Sequence, residues 1–227
     1  EGGIGSCAFA SGMAAETAIT QLLLKQGDRA ICTNNVYGGT FRLFNDIVKN
    51  YGVQFTYVDT SNVARLAQAI QQNTKMVFVE TPTNPIMSLT DIEAVAKITR
   101  NKTDCRLVVD NTFMSPYLQR PLALGADIVL HSTTKFLNGH SDSIGGVVTL
   151  ANEKDSERLH FIQNAAGAIM APFEAWLVLR GIKTLPVRME THTLNGGTLA
   201  QYLTAHKEVK KVYYPGLPEH PQYNLAK

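Results

Sequence analysis

The amino-acid sequence predicts an α/β protein in which a mostly parallel sheet carries helices on both faces. Short runs rich in valine, isoleucine and leucine alternate along the chain with amphipathic stretches of helical period. Several of the short runs are apolar at every position, for example residues 76–79 and 107–109, as in strands that are buried on both faces. Strands that alternate with helices in this way are typical of open sheets with right-handed crossovers.

The predicted strands cover residues 29–32, 54–58, 75–80, 106–110, 127–130 and 146–150. Helices are predicted between them, because apolar side chains recur at positions i, i+3, i+4 and i+7. One helix carries this stripe over residues 63–70. Another begins near Thr90, which forms a capping-box pattern with Glu93.

The pattern of predicted secondary structure changes after about Met170. Residues 173–206 are predicted as one long or broken helical region, and residues 209–214 as a strand that ends at Pro215 and Gly216. This change indicates the start of a second, smaller α/β domain that the chain does not complete.

The composition is that of a folded protein. Of the 227 residues, 44% are hydrophobic and 18% are charged, and the formal net charge is +2, which excludes intrinsic disorder. The positive charges form no basic stripe with interleaved aromatic residues, and no apolar run approaches the ~20 residues that span a bilayer. We therefore expect neither a nucleic-acid partner nor a membrane partner.

The cysteines and histidines exclude two further kinds of site. Cys7, Cys32 and Cys105 lie far apart and form no Cys-x-x-Cys pair, so a disulfide framework is excluded. The six histidines show no metal-ligand spacing. These patterns predict reduced thiols in a cytoplasmic protein without a metal site.

In open α/β sheets, ligands bind outside the carboxyl ends of the strands, so polar residues at these ends are the candidates for a site. Ser11, Gly12 and Met13 belong to a turn of small residues that opens a helix. The free backbone N–H groups and the positive end of the helix dipole suit a phosphate there. The alternative is an ordinary serine N-cap.

Asp110 is a second candidate, because it ends an apolar strand. A carboxylate at this place costs desolvation energy unless it meets a cation. The alternative is a residue that hydrogen-bonds the following loop.

A third candidate group follows the strand at residues 127–130. The hydroxyls of Ser132 and Thr134 suit anionic oxygens, and the amine of Lys135 can form a Schiff base when it is desolvated or lies near cationic groups. The alternative for Lys135 is a solvated surface lysine.

A fourth candidate is Tyr37, which precedes two glycines and could stack on a flat ring, or serve as a packing residue.

A weaker pattern is Gly3-x-Gly5-x-x-Ala8, which matches a dinucleotide-binding fingerprint, with Asp28 about 20 residues further on. No strand is predicted before it, and a turn follows it before the helix begins. An NAD-dependent oxidoreductase is therefore a minor alternative, which requires Gly3 and Gly5 at a strand-to-helix turn.

Considered together, the four candidates supply a phosphate cradle, a carboxylate, a stacking ring and a lysine. Pyridoxal 5'-phosphate (PLP) needs this set: its aldehyde needs a lysine, its pyridine nitrogen needs an acidic partner, and its phosphate needs amides and hydroxyls. The set therefore indicates a PLP-dependent enzyme. A non-catalytic domain that keeps the fold stays open as a further alternative, and it would form no Schiff base at Lys135.

Longer motifs join these residues. They cover residues 11–13, 36–40, 80–85, 109–117, 119–127, 132–142, 180–185 and 214–218. With Lys135 in Ser132-x-Thr134-Lys135-x-x-Asn138-Gly139-His140-Ser141-Asp142 and Asp110 upstream, the chain resembles the Cys/Met-metabolism family of fold-type I PLP enzymes over essentially its whole length. The resemblance is closest to the members that cleave cystathionine.

The resemblance implies the PLP-dependent transferase-like fold of type I. Residues 1–180 would form the large PLP-binding domain without its N-terminal arm, and residues 181–227 the start of a truncated C-terminal domain. Family members run to about 400 residues, so we expect the chain to be a fragment. The missing parts would supply the groups that reach a neighbouring subunit's phosphate and the arginine that binds the substrate carboxylate.

The resemblance also implies a role for each site residue. Lys135 would form the Schiff base and shuttle protons, Asp110 would pair with the pyridinium nitrogen, and Tyr37 would stack on the ring and assist proton transfer. The implied cofactor-binding residues are Gly12, Met13, Tyr37, Asn84, Asp110, Ser132, Thr134 and Lys135, with Asn84 at the ring oxygen and the amides and hydroxyls at the phosphate.

The implied reaction is γ-elimination on a sulfur amino acid, in which cystathionine gives cysteine, 2-oxobutanoate and ammonia. Family members that catalyse γ-replacement, namely the cystathionine γ-synthases and acylhomoserine sulfhydrylases, are the main alternative. Methionine γ-lyases are a weaker alternative, because they often have a cysteine at the position that Gly39 occupies in this chain. The implied partners are the amino-acid substrate and further copies of the chain, since the family forms tetramers of active-site dimers.

Overall fold

Seven strands form one sheet in the computed structural model, which describes residues 1–101 and 104–227. The strands are β1 (Gly5–Phe9), β2 (Arg29–Thr33), β3 (Gln54–Val58), β4 (Thr74–Glu80), β5 (Arg106–Asp110), β6 (Ile128–Ser132) and β7 (Gly146–Leu150). Their spatial order is β1-β7-β6-β5-β4-β2-β3. The five strands from β6 to β3 are parallel, and β7 and β1 join one edge through antiparallel pairs. The predicted α/β class with a mostly parallel sheet is confirmed.

Helices connect and cover the strands. They are α1 (Gly12–Leu23), α2 (Gly38–Arg42), α3 (Val63–Ala69), α4 (Ile92–Arg100), α5 (Ser115–Leu118), α6 (Glu153–Ala166), α7 (Pro172–Ile182), α8 (Leu185–Thr204) and α9 (Tyr223–Ala226). A π-helical turn (Leu43–Ile47) and a 3₁₀ turn (Val48–Tyr51) continue α2.

The two faces of the sheet belong to two separate cores. On one face, Ile19 of α1 and Leu159 of α6 share a core with Phe78 of β4. On the other face, Val95 of α4 shares a core with Val77 of β4. Because neighbouring residues of a strand face opposite sides, β4 needs apolar side chains at both parities. This arrangement accounts for the continuous apolar runs in the sequence.

Strand β1 was not predicted from the sequence. Its residues are Gly-Ser-Cys-Ala-Phe, without a β-branched side chain, and it pairs with β7 at the edge of the sheet. A Cβ built on Gly5 would lie 2.1 Å from Ser156 Oγ of α6, so the glycine lets the helix approach the strand closely. Because Gly5 and Ala8 lie inside a strand and not at a strand-to-helix turn, the dinucleotide-binding alternative fails.

The start of α4 differs from the predicted capping box. Asp91 is the N-cap, and its carboxylate accepts a hydrogen bond from Ala94 N at 2.9 Å. Thr90 is buried, and its hydroxyl lies 2.6 Å from the Thr60 hydroxyl. Since that hydroxyl is engaged elsewhere, the adjacent aspartate caps the helix.

The C-terminal part is helical up to the end of α8, as predicted for residues 173–206. The strand predicted at residues 209–214 is wrong, because these residues have no regular secondary structure. A strand needs a hydrogen-bonded neighbour, and the described part of the chain places no strand beside this segment. The segment beyond it contacts the loop between β4 and α4, where Gln222 Nε2 donates to Leu89 O at 2.6 Å. The division at residue 180 stays a prediction.

None of the helices described between residues 1–101 and 104–227 combines the length and the apolar composition that crossing a membrane requires.

Candidate active site

A cavity of about 510 Å³ opens at the carboxyl edge of the parallel strands, within the range of about 300–1,000 Å³ that ligand pockets occupy. All eight predicted cofactor-binding residues line it: Gly12, Met13, Tyr37, Asn84, Asp110, Ser132, Thr134 and Lys135. The lining is completed by Ser11, Glu16, Glu80, Pro82, Thr112, Phe113 and Leu130.

The sheet register explains why residues so distant in sequence meet here. Glu80 is paired with Asp110 across β4 and β5, and Asp110 is paired with Leu130 across β5 and β6. Since parallel strands end at the same edge, the side chains that follow them gather around one space. The turn after β6 then places Lys135 at the mouth of the cavity, where its side chain is exposed.

The first turn of α1 forms one end of the cavity. Ser11 is the N-cap, and its Oγ accepts a hydrogen bond from Ala14 N at 3.0 Å. The N–H groups of Gly12 and Met13 have no intrahelical acceptor, because they begin the helix. A Cβ on Gly12 would lie 3.0 Å from Ser132 Cβ, so the glycine lets the helix start approach the end of β6. The serine cap therefore leaves the N–H groups of Gly12 and Met13 free to bind an anion as a ligand.

Asp110 is held in place through the loop that follows it. Its Oδ1 accepts from Thr112 N at 3.0 Å, and Thr112 Oγ1 accepts from Ser132 N at 2.9 Å. Burial raises the pKa of Asp110, while the hydrogen bonds from Thr112 and the nearby His131 act to lower it. A cation bound against this carboxylate would offset the cost of its burial.

The two predicted hydroxyl ligands differ in their present partners. Thr134 Oγ1 accepts from Gly145 N at 3.1 Å and donates to Gly145 O at 3.4 Å, so Gly145 engages this hydroxyl both as donor and as acceptor. Ser132 lies against Gly12 at the helix start. In the part of the chain that the structure describes, the Lys135 amine forms no ion pair with a carboxylate.

Tyr37 and Asn84 lie on two loops that border the cavity. The Tyr37 side chain is half exposed, and a Cβ on Gly39 would lie 2.4 Å from its ring. The glycine is thus needed for the ring to lie against the start of α2. Both loops are attached to Glu80: Tyr37 N donates to Glu80 Oε2 at 2.7 Å, and Asn84 N donates to Glu80 Oε1 at 3.1 Å.

Two buried acids, Glu16 and Glu80, were missed by the sequence analysis. Glu16 accepts a hydrogen bond from the Thr40 hydroxyl at 3.0 Å. Burial, together with the charges of Asp110 and Glu80, raises its pKa well above its usual range. Burial and the charge of Asp110 raise the pKa of Glu80 to about 7. The signal in the sequence was weak: Glu16 is an acid in an apolar stretch of α1, and Glu80 ends an apolar strand as Asp110 does.

These groups fit PLP. The cradle at Gly12, which a Cβ would fill, suits a phosphate, and the partly buried Asp110 suits a protonated ring nitrogen. The half-exposed ring of Tyr37 offers a stacking face, and the exposed amine of Lys135 is available for the aldehyde. Among the described residues, no group of three or more His, Cys, Asp or Glu side chains is arranged to hold a metal ion.

Comparison with known proteins gives consistent matches over the whole chain. A model of the family described as "Cys/Met metabolism PLP-dependent enzyme" matches residues 1–227. A probable cystathionine gamma-synthase of Herpetosiphon aurantiacus is 50% identical over 219 residues, which are 96% of this chain and 68% of that protein. Cystathionine gamma-lyase of Macaca fascicularis is 53% identical over 220 residues, which are 97% of this chain and 54% of that protein.

A solved structure shows the same fold. The crystal structure of cystathionine gamma-lyase from Lactobacillus plantarum, complexed with L-serine, matches with a TM-score of 0.95 and 47% identity. The match covers 97% of this chain and 57% of that chain. The chain therefore spans between about half and two thirds of the length of these relatives.

Proposed function

Because the chain belongs to the Cys/Met metabolism family of PLP-dependent enzymes, we propose that the whole protein is a carbon–sulfur lyase that acts on cystathionine. The reaction is a γ-elimination in which cystathionine and water give cysteine, 2-oxobutanoate and ammonia. The observation that carries the proposal is that Lys135, Asp110 and Tyr37 line one cavity whose far end is the first turn of α1.

PLP, when bound, supplies an electron sink that stabilises negative charge at the carbons of an attached amino acid. We propose that the amides of Gly12 and Met13 and the hydroxyls of Ser132 and Thr134 hold its phosphate. Asn84 would hydrogen-bond its ring oxygen. The Lys135 amine would be the point of attachment for its aldehyde carbon.

Lys135 and Asp110 would divide the proton chemistry between them. The Lys135 amine, once released by the substrate, would take the proton from the substrate α-carbon as a general base. The Asp110 carboxylate would keep a proton on the ring nitrogen, since a buried carboxylate is stabilised by a neighbouring positive charge. Tyr37 would cover one face of the ring and assist proton transfer at the β-carbon, after which the γ-substituent leaves.

γ-Replacement is the second candidate reaction, because a relative of 50% identity is named a probable cystathionine gamma-synthase. In that reaction the sulfur of cysteine would replace the acyloxy group of an acylated homoserine, which gives cystathionine and releases the corresponding carboxylic acid. The same cavity residues would serve, so the two reactions differ in the group that arrives at the γ-carbon.

The partners would be an amino-acid substrate and further copies of the chain. We propose a tetramer of active-site dimers, supported by an apolar stripe on α7. Phe173, Trp176 and Leu179 are exposed at 66%, 55% and 67%, and their spacing places them on one helix face. We also propose a cytoplasmic location, which the three buried free cysteines support.

Product analysis of the whole protein with PLP and L-cystathionine tests the proposal. Cysteine together with 2-oxobutanoate is the expected result, whereas a thioether formed from an acylated homoserine and cysteine would place the protein with the synthases. In the same assay, the Lys135→Ala variant should lose a factor of about 10²–10⁴ or more in turnover, because it lacks the general base. Substantial activity of that variant would refute the role of Lys135.

A further inference from the structure

We propose that Glu80 is a positioning residue, whose carboxylate fixes the Tyr37 loop and the Asn84 loop on either side of the bound cofactor. The inference rests on the proposed function, since it assumes that these two residues contact PLP. It adds a residue to which neither the sequence analysis nor the proposed function gives a role.

The first step of the argument is the geometry of the two hydrogen bonds. Each carboxylate oxygen of Glu80 accepts from a different backbone: Oε2 from Tyr37 N at 2.7 Å, and Oε1 from Asn84 N at 3.1 Å. Hydrogen bonds to a charged acceptor are stronger than those between neutral groups. Glu80 itself is only 6% exposed, and both hydrogen bonds are partly buried.

The second step is the place of Glu80 in the fold. It is the last residue of β4, in register with Asp110 of β5, so its backbone belongs to the rigid centre of the sheet. Tyr37 precedes the short helix α2, and Asn84 lies in the loop that follows β4. The Tyr37 and Asn84 side chains are both exposed. A single side chain thus connects the sheet to both loops.

The third step is chemical. A carboxylate has an acceptor oxygen for each of the two N–H groups, whereas a glutamine has one oxygen and an NH₂ group that only donates. In Glu80→Gln, one backbone N–H therefore loses its acceptor and faces a donor. In Glu80→Asp, the charge stays but the side chain is one methylene shorter, so it cannot reach both loops from the same backbone position.

The experiment measures, at pH 8, where the Glu80 carboxyl is ionised, the dissociation constant of PLP from the apoenzyme of the whole protein, for wild type, Glu80→Gln and Glu80→Asp. We expect both variants to bind PLP about tenfold more weakly, the loss that a charge-assisted hydrogen bond predicts. Glu93→Gln is the matched control, because Glu93 is an exposed acid on α4 outside the cavity. It should bind PLP as wild type does.

A double-mutant cycle separates positioning from a general structural role. In a Tyr37→Ala/Asn84→Ala background, Glu80→Gln should add little to the loss of PLP affinity, since the side chains it positions are absent. Hydrogen exchange of the PLP-free protein gives an independent readout: the amide of Tyr37 or of Asn84 should exchange faster in Glu80→Gln than in Glu93→Gln.

Three outcomes overturn the proposal. Wild-type affinity in Glu80→Gln would show that the two hydrogen bonds do not matter, and a full effect of Glu80→Gln in the double background would show that it acts by another route. Wild-type affinity in Glu80→Asp would show that only the charge counts. Failure of the proposed function is seen separately in the wild-type protein: product analysis with L-cystathionine reports the reaction, and borohydride trapping reports whether PLP attaches to Lys135.

Discussion

At the scale of single residues, the site is governed by three carboxyl groups around one cavity, Glu16, Glu80 and Asp110. Burial raises the pKa of each of them, and the charge of Asp110 also raises the pKa values of the other two. Like charges in a site of low polarity disfavour ionisation of all its members. The binding of a cation beside Asp110 is therefore favourable, because it offsets the repulsion among the three carboxyl groups and the cost of their burial.

Replacing Asp110 tests this view of the site. Asp110→Asn keeps the shape of the side chain but removes the charge that would hold a proton on the ring nitrogen. We expect exchange of the substrate α-proton with solvent to slow by about 10- to 100-fold, the range that a hydrogen bond to a charged group supports. Asp46→Asn, at an exposed acid remote from the cavity, is the control. Unchanged α-proton exchange in Asp110→Asn would count against the proposed role.

Asp110 and Lys135 could be predicted from the sequence, whereas Glu16 could not. Asp110 and Lys135 follow apolar strands, and the rule that parallel strands end together brings them to one place. Glu16 takes its environment from a contact between α1 and α2, where the Thr40 hydroxyl donates to it. The local sequence does not contain that contact, because the two residues are 24 positions apart.

At the scale of secondary-structure elements, the central parallel strands were predictable because both of their faces are buried. The edge strand β1 was not, since small residues replace β-branched ones where α6 packs closely. The segment at residues 209–214 failed in the opposite way. Its valines and tyrosines are residue types typical of a strand, but a strand forms only where a partner supplies hydrogen bonds.

The start of α1 gives a prediction for this scale. In Gly12→Ala the new methyl group would lie 3.0 Å from Ser132 Cβ and 3.3 Å from Ser132 Oγ, and so would crowd the space proposed for the phosphate. We expect PLP to bind about tenfold more weakly, while the stability of the PLP-free protein stays within about 1 kcal/mol of wild type. Equilibrium dialysis and urea unfolding measure the two quantities.

Gly197→Ala is the matched control for this variant. Gly197 lies within α8, and a Cβ built on it meets no atom within 4 Å. Alanine should therefore raise the free energy of unfolding by about 0.5–1 kcal/mol through helix propensity alone, without a change in PLP affinity. Equal PLP affinities for Gly12→Ala and Gly197→Ala would contradict the proposed phosphate cradle.

At the scale of the whole molecule, the exposed stripe on α7 predicts an interface between copies. Phe173 and Trp176 stack with ring centroids 5.9 Å apart, so they present one continuous apolar surface. Trp176→Glu should shift the protein toward smaller assemblies in light scattering after size-exclusion chromatography, because a charge in an apolar interface is costly. Tyr51→Glu, at an aromatic residue 71% exposed after α2, should leave the mass unchanged. An unaltered mass for Trp176→Glu would rule out this face.

The raised pKa values of the cavity acids also set how the stability of the PLP-free protein depends on pH. Burial and Asp110 raise the pKa of Glu80 from its usual 4.5 to about 7, so between these values the folded protein binds more protons than the unfolded chain. Stability then falls as the pH rises through this window. Ionisation of Glu80 lowers the free energy of unfolding by about 3 kcal/mol across this window, at about 1.4 kcal/mol for each pH unit. The raised pKa values of Glu16 and Asp110 act in the same direction.

Urea unfolding of the PLP-free protein at pH 5 and pH 8 measures this dependence. Wild type should be less stable at pH 8, and Glu80→Gln should reduce the difference by about 3 kcal/mol, because the amide does not ionise. Glu93→Gln, on the exposed face of α4, should keep the wild-type difference. If Glu80→Gln kept it as well, the Glu80 carboxyl would already be ionised at pH 5 in the folded protein. In that case the hydrogen bonds from the backbone N–H groups of Tyr37 and Asn84 would outweigh the cost of its burial beside Asp110.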